Sequence, residues 1–399
     1  MIEKHIEVVS DSQLVEEKPK ESTNFSLIDI FIQKATEYPE HPAITTTERT
    51  INYRELTEKA QSLAVHLYKM GVQHETPVAI LLEPGIEHII AQVAILLAGG
   101  SCVPLDPTMP DQRLCFMLQD LQINLTLTDI QSKERALSTN FVIMDQDVPE
   151  TSEFVYLSNV HRGKNHRTHI FFTSGTTGIP KTVEIEAKSI TRLVVNPTYV
   201  DLRNTDRIAC IANTTFDISL FEIWGALLNG ASIVIIPRKI VVEPYLFKAT
   251  LEQFSVSLMI ITAALFNLVA NSCPQAFRGL RYLIVGGEAL NPYILRKVLQ
   301  SSPPQHLMNG YGPTESTSVA LIYEIMLDQL TEEDNVPIGK PIDKTEIYIL
   351  DDKQQLVAPG KISEICLGGE GLARGYWNRP EINSQRFMMI DIKGFQTYY

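Results

Sequence analysis

Val78-Ala79-Ile80-Leu81-Leu82 is an unbroken apolar run, closed by Glu83-Pro84-Gly85 and followed by Ile86 to Ala98, then Gly99-Gly100, then Ser101-Cys102-Val103-Pro104-Leu105. The first run has strand length and no polar alternation, as in a strand covered on both faces. Ile86 to Ala98 is too long for a strand and reads as a buried helix. The two glycines permit a tight turn from helix to strand, and the prolines of Asp106 to Pro110 fix the exit. Strand, helix and strand in this order predict α/β architecture.

Reading outward, the pattern recurs. Upstream, Leu27 to Tyr38 has helical apolar spacing, Ala43 to Tyr53 reads as a short hairpin and Arg54 to Met70 as a helix. Downstream, Ile208 to Ile211, Ser232 to Ile236, Leu258 to Ile261 and Tyr282 to Val285 read as strands, with Ile218 to Leu228 as a helix. Such alternation over some 300 residues predicts layers with mostly parallel sheets. From about Pro337 the character changes. Glu346 to Leu350 and Ser363 to Leu367 are short strands separated by Asp351, Asp352, Pro359 and Gly360, as in a smaller antiparallel sheet or barrel. Three segments are expected: a polar extension over 1–25, paired α/β subdomains over 26–330, and a β-barrel subdomain over 331–399.

The 399 residues carry 34 basic and 47 acidic side chains, a net charge of −13. General nucleic-acid binding needs basic patches, so no nucleic-acid partner is expected. Bound ATP remains compatible, because a few local donors can hold phosphate in an acidic protein. The five cysteines form no CxxC pair, which favours reduced thiols in a cytoplasmic protein. Met1 to Asn24 lacks the apolar core of a signal peptide, and no apolar run reaches membrane-spanning length.

Phe171-Phe172-Thr173-Ser174-Gly175-Thr176-Thr177-Gly178-Ile179-Pro180-Lys181 combines hydroxyls, two glycines and a lysine. Glycines let backbone N–H groups turn toward an anion, hydroxyls add donors, and the lysine adds mobile positive charge. The pattern is not G-x-x-x-x-G-K-[ST], so a Walker-type P-loop is disfavoured. An isolated Ser/Thr/Gly cluster usually reads as a polar surface loop. The order T-S-G-T-T-G-x-P-K, however, resembles the phosphate-binding loop of the adenylate-forming superfamily, which includes nonribosomal adenylation domains, acyl- and aryl-CoA ligases and beetle luciferases. Two positions depart from that pattern: Thr182 stands where glycine is usual, and Ala187 where histidine is common.

Further segments agree in order. Thr50 to Leu56 resembles the family's T-Y-x-E-L segment, and Leu96 to Pro107 its L-K-A-G-x-A-Y-V-P-[IL]-D segment. Asn309-Gly310-Tyr311-Gly312-Pro313-Thr314-Glu315 resembles N-x-Y-G-P-T-E, and Gly368 to Trp377 resembles G-x-G-V-A-R-G-Y. The resemblance implies two mostly parallel sheets flanked by helices in an αβαβα arrangement, plus a smaller distorted β-barrel. It implies ATP and Mg2+, with Thr173, Lys181 and Glu315 catalytic and Glu315 the metal ligand. Nucleotide contacts are implied at Thr173, Ser174, Gly175, Thr176, Thr177, Gly178, Lys181, Asn309, Tyr311 and Thr314. Val285 to Ala289 reads as the end of a strand opening a helix, and the resemblance implies that Gly287, Glu288 and Ala289 border adenine.

Phe216-Asp217-Ile218-Ser219 resembles the F-D-x-S of amino-acid-specific members, where the Asp pairs with the substrate ammonium; burying a cation requires an opposite charge. Asp217 also suits the N-cap of the following helix. The family's pocket positions fall on Asp217, Ile218, Phe221, Leu265, Ile284, Gly286, Gly310, Ser318 and Val319. With no second charge among them, a neutral aliphatic amino acid is expected, valine-like in size. A methylene gives only about 1–3 kcal/mol of discrimination, so imino acids and small aromatics stay open. The implied product, aminoacyl-AMP, would load the phosphopantetheine thiol of a peptidyl carrier protein. Alternatives are an acyl- or aryl-CoA ligase and a non-catalytic binding module. The chain ends at Tyr399 before the R-T-G-D-like segment and the small C-terminal lobe with its lysine, so it reads as the N-terminal core with that lobe absent and with activity weak or lost.

Overall fold

The computed structural model describes residues 26–136, 139–144, 146, 162–173, 180–330, 335–392 and 395–398. Among them, one seven-stranded sheet runs, edge to edge, Gly375–Tyr376, Lys181–Glu186, Arg167–Thr173, Ser101–Leu105, Pro77–Leu81, Leu125–Thr128, Asn140–Ile143. A nine-stranded sheet runs Lys340–Pro341, Leu321–Glu324, His306–Tyr311, Tyr282–Gly286, Leu258–Thr262, Arg207–Cys210, Ser232–Ile235, Pro42–Thr45, Thr50–Asn52. Both have parallel centres; the nine-stranded sheet is antiparallel at both edges, the seven-stranded sheet only on the Gly375–Tyr376 side, its Asn140–Ile143 edge being parallel. The expected strands and helices appear within a residue or two of their anticipated ends.

The opening strand–helix–strand shows why the layers form. Pro77–Leu81 and Ser101–Leu105 pair in parallel register, and helix Ile86–Leu97 between them is buried along its whole length. A helix apolar all round needs cover on every side. It packs on these strands and on helix Tyr53–Lys69, while helices Ala187–Val194 and Ile218–Leu227 pack on each other alongside. These helices and the facing sheet surfaces share one core. Tyr53 ties the layer together, its hydroxyl donating to the carbonyl oxygens of Ala231 (2.7 Å) and Ala226 (3.2 Å). On the far face of the nine-stranded sheet, helices Pro244–Gln253, Ala263–Ser272 and Pro292–Ser301 enclose a second core. On the far face of the other sheet, Asp111–Asp120 supplies a third. The resulting order is helix, sheet, helix, sheet, helix.

Two expectations change. The strand Tyr282–Gly286 does not run straight into a helix; residues 287–291 intervene before Pro292–Ser301, and Gly287 takes a left-handed φ of 89°. Nor do the strands beyond residue 337 close into a barrel among the described residues. Lys340–Pro341 and Gly375–Tyr376 are each taken up by an open edge of a large sheet. That leaves Thr345–Leu350 paired with Glu364–Gly369, plus one bridge from Leu350 to Leu356, and Met389–Ile392 with Phe395–Tyr398. An edge strand's unpaired N–H and C=O groups recruit such segments.

The layer between the sheets holds two buried imidazoles. His88 Nδ1 donates to the Leu82 carbonyl at 3.3 Å, and His169 Nε2 meets Gln92 Oε1 at 3.1 Å. Burial lowers the pKa of His88 to about 4 and of His169 to about 3, from an ordinary 6.5. Below pH 6.5 the unfolded chain therefore takes up protons that the folded chain refuses until about pH 4 and 3. These groups cost nothing above pH 7 and destabilise progressively as pH falls through that window. Melting temperature measured from pH 7 to 4 should fall less steeply in His88→Leu than in the parent chain.

Candidate active site

Thr173 and Lys181 close two adjacent antiparallel strands and stand directly opposite each other, with Thr173 Oγ1 donating to the Lys181 carbonyl at 3.4 Å. Ser174, Gly175, Thr176, Thr177 and Gly178 lie outside the described residues. Lys181 forms no ion pair among the described residues. Its ammonium sits 5.2 Å from the centroid of Tyr376, whose hydroxyl donates to Glu315 Oε1 at 2.5 Å. Burial, and then the Glu315 carboxylate, push the Tyr376 hydroxyl pKa well up, so its proton stays in that bond. Tyr376 therefore joins the lysine of one segment to the carboxylate of another. Only its place in the ARGY segment signalled it, since Glu315 is 61 residues away.

Departures from the family pattern are absorbed by packing. Thr182 is fully buried, its hydroxyl 3.4 Å from Asp120 Oδ2, and Asp120 also pairs with Arg379. Ala187 opens helix Ala187–Val194 inside the core. Neither change removes a donor from the Thr173–Lys181 end.

Asp217 lies across from this end. It precedes helix Ile218–Leu227 with helical backbone angles (φ −66°, ψ −15°) and makes no side-chain cap. Its carboxylate instead accepts from the Ser318 backbone N–H at 3.1 Å and from the Thr314 hydroxyl. No cation pairs with it among the described residues. Burial raises its pKa to about 6 from 3.8, opposed by the Thr314 and Ser318 hydrogen bonds, with Glu315 adding to the rise. Loop 211–217 is held at both ends. Buried Glu222 accepts from the Ile211 and Ala212 N–H groups at 3.1 Å each, Asn213 binds Asp106, and Ser219 caps back onto the Phe216 carbonyl.

Ile218, Phe221, Ile284 and Val319 pack in the core shared by the two sheets, Ile284 and Val319 beside Gly310. Leu265 does not join them: it packs with the outer helices. Gly286 and Gly310 are paired strand residues at close approach. A Cβ on Gly286 would lie 2.3 Å from the Gly310 carbonyl oxygen, and one on Gly310 would lie 2.8 Å from Ile284 Cγ2. Since backbone cannot yield as a side-chain tip can, Gly286→Ala should separate the strands. At roughly 1–3 kcal/mol for overpacking, it is expected to lower the urea midpoint and weaken small-molecule binding together. An unchanged midpoint would show that the strand pair tolerates the methyl. Ser318 is buried, its hydroxyl without a partner among the described residues, and Thr317 and Ser318 both take left-handed φ, 58° and 66°. Asn309 donates its amide to the Pro337 carbonyl at 2.7 Å, so its side chain braces the loop before strand Lys340–Pro341. Tyr311 is half-buried, and Gly287, Glu288 and Ala289 are exposed.

Glu315 fits a Mg2+ role: a partly exposed carboxylate that accepts from the Tyr376 hydroxyl still offers a hard oxygen. Mg2+ is commonly held by one or two carboxylates plus substrate phosphates.

Two parallel-centred sheets with a lysine, a hard-oxygen carboxylate and a buried aspartate on neighbouring loops define an adenylate-forming core, and the chain belongs to the AMP-binding enzyme family, which matches residues 31–377. Among its relatives, nonribosomal peptide synthetase asaC of Aspergillus flavus is 39% identical over 88% of this chain and 35% of its own length. Surfactin synthase subunit 2 of Bacillus subtilis is 37% identical over 90% of this chain and 10% of its own. The chain thus spans about a third or less of these relatives. The NpsA N-terminal subdomain of Klebsiella oxytoca, solved with 3-hydroxyanthranilyl-AMSN, superposes with a TM-score of 0.84 at 25% identity over 94% of each chain. Holo-PA1221, which contains adenylation and PCP domains, superposes at 0.85 with 28% identity over 94% of this chain and 64% of its own. No helix among the described residues is long and apolar enough to cross a membrane.

Proposed function

We propose that this chain is the core of an amino-acid-adenylating ligase, converting ATP and an amino acid to aminoacyl-AMP and pyrophosphate. One observation carries the reading: Asp217 is a buried carboxylate without a cationic partner among the described residues, linked through Thr314 and Glu315 to the Lys181 end. Burying a carboxylate unpaired is costly, and a substrate ammonium would supply the missing charge. Thr173, Lys181 and the segment 174–178 would hold the phosphates. Tyr311, with Asn309 and residues 287–289 nearby, would border adenine. Glu315 would hold Mg2+, which neutralises phosphate charge when bound. The substrate carboxylate then attacks the α-phosphorus and pyrophosphate leaves, so the protein's task is to place the reactants and balance developing charge.

The apolar walls from Ile218, Phe221, Ile284 and Val319 favour a neutral aliphatic side chain. The PCP domain of PA1221 and the synthetase relatives support a peptidyl carrier protein, through its phosphopantetheine thiol, as the acceptor. A second reading, an aryl acid, has its own support in the NpsA complex with 3-hydroxybenzoyl-AMSN. Amino-acid-dependent hydroxamate formation by the protein decides between them. Product with aliphatic amino acids is expected; product only with acids lacking an α-amine would leave the aryl reading standing.

A further inference from the structure

Arg192, on helix Ala187–Val194, is 3% exposed and forms no ion pair among the described residues. Its charge is met by uncharged oxygens. Nη1 donates to the Val319 carbonyl (2.9 Å) and to Thr345 Oγ1 (2.9 Å), and Nη2 donates to the carbonyls of Ser316 (2.8 Å) and Thr317 (3.4 Å). The three carbonyls belong to the loop in which Thr317 and Ser318 are left-handed, a conformation costly for side-chain-bearing residues. Such a loop persists only if its surroundings over-determine it. Thr317 Oγ1 also donates to the Gly371 carbonyl at 2.9 Å, and a Cβ on Gly371 would lie 2.4 Å from Arg192 Nη2. Glycine at 371 leaves the space that the guanidinium fills.

This loop delivers the Ser318 N–H to Asp217 Oδ2 and places Val319 beside Gly310. We propose that Arg192 is a positioning residue for amino-acid recognition: its planar fork holds loop 316–319 in the strained turn that orients Asp217 and the pocket wall. This inference rests on the amino-acid reading of the site. It uses the guanidinium's shape as much as its charge, since its fork presents donors from two separate nitrogens fixed in one plane, where an ammonium has three donors on a single atom. Without the fork, the buried carbonyls lose their donors, the turn relaxes, and the Ser318 N–H leaves the carboxylate. Thr345, which accepts from the same guanidinium, ties the strand Thr345–Leu350 to this loop.

Calorimetry on the full chain, with ATP–Mg2+ and separately with the twenty standard amino acids, tests the proposal in the parent, Arg192→Lys and Gly371→Ala. Gly371→Ala displaces the guanidinium without removing it, so it serves if Arg192→Lys does not fold. The expected result in a folded variant is an amino-acid Kd raised about tenfold or more, as for loss of charge-assisted hydrogen bonds, while the ATP–Mg2+ Kd moves far less. Equal weakening of both ligands, unchanged amino-acid affinity, or failure of both variants to fold overturns the proposal and leaves Arg192 a structural group. A parent chain that binds ATP–Mg2+ but no amino acid overturns the amino-acid reading itself, and this inference with it.

Discussion

Replacing Asp217 with asparagine is expected to abolish amino-acid-dependent pyrophosphate exchange while leaving ATP binding nearly intact. Asparagine keeps the shape and still offers an oxygen to the Ser318 N–H, so the loop has no reason to move. What it lacks is charge. Losing one partner of a desolvated charge pair costs roughly 2–5 kcal/mol, or a fall in affinity of about 30-fold to several thousand-fold at 1.4 kcal/mol per decade. The same carboxylate predicts a pH dependence. With a pKa near 6 in the free protein, Asp217 is mostly charged at pH 7 and ready for an ammonium. As pH falls below about 6, binding must first expel its proton, so amino-acid affinity should drop about tenfold per pH unit. The stability contribution has the opposite sign. The folded pKa is raised above the unfolded 3.8, so the folded chain holds the extra proton. That stabilisation is present below about pH 4 and is lost as pH rises through 6. Should Asp217→Asn use an acid as efficiently as the parent does, the acid carries no ammonium into this pocket and the aryl reading takes over.

Lys181→Ala is expected to act on the other substrate. The ammonium rests over the Tyr376 ring, an interaction that leaves it free to turn toward phosphate, and it has no carboxylate partner among the described residues. Removing a preorganised group aimed at developing negative charge costs roughly 100- to 1,000-fold in turnover. We expect kcat/KM for ATP to fall by that order, with amino-acid affinity changed little because Asp217 keeps its own partners. Lys181→Arg should recover part of the loss, as charge returns in a bulkier shape. If both substrates weaken in parallel, the lysine supports the fold of the strand end and not the phosphate. Tyr376→Phe helps separate these cases: it cuts the bond to Glu315 but preserves the ring beneath the lysine.

Much of this was readable before any coordinates. Apolar runs such as Val78 to Leu82 have one stable fate, a strand covered on both faces, and the Gly-Gly turn after Ala98 allows only a tight reversal. Asp217 was readable as a pocket carboxylate but also as a helix cap, because both roles place an Asp before an apolar helix. Helical backbone angles and the lack of a side-chain cap exclude the cap role, and the Ser318 N–H takes the carboxylate instead. Leu265 illustrates the reverse: its position in the family's order assigns it to the pocket, yet its half-buried side chain packs with the outer helices.

Local chemistry in the chain determined the strand–helix alternation, the hydroxyl-rich segment after Phe172 and the identity of the charged groups, since each depends on neighbours within a few residues. Tertiary structure alone decided that Tyr376 links Lys181 to Glu315, that Arg192 underpins loop 316–319, and that two strands after residue 337, Lys340–Pro341 and Gly375–Tyr376, join existing sheet edges while no barrel closes among the described residues. The reason is physical: hydrogen bonds between groups 61 or 124 residues apart leave no periodicity in the sequence, and which sheet edge is open is settled only once the layers have stacked.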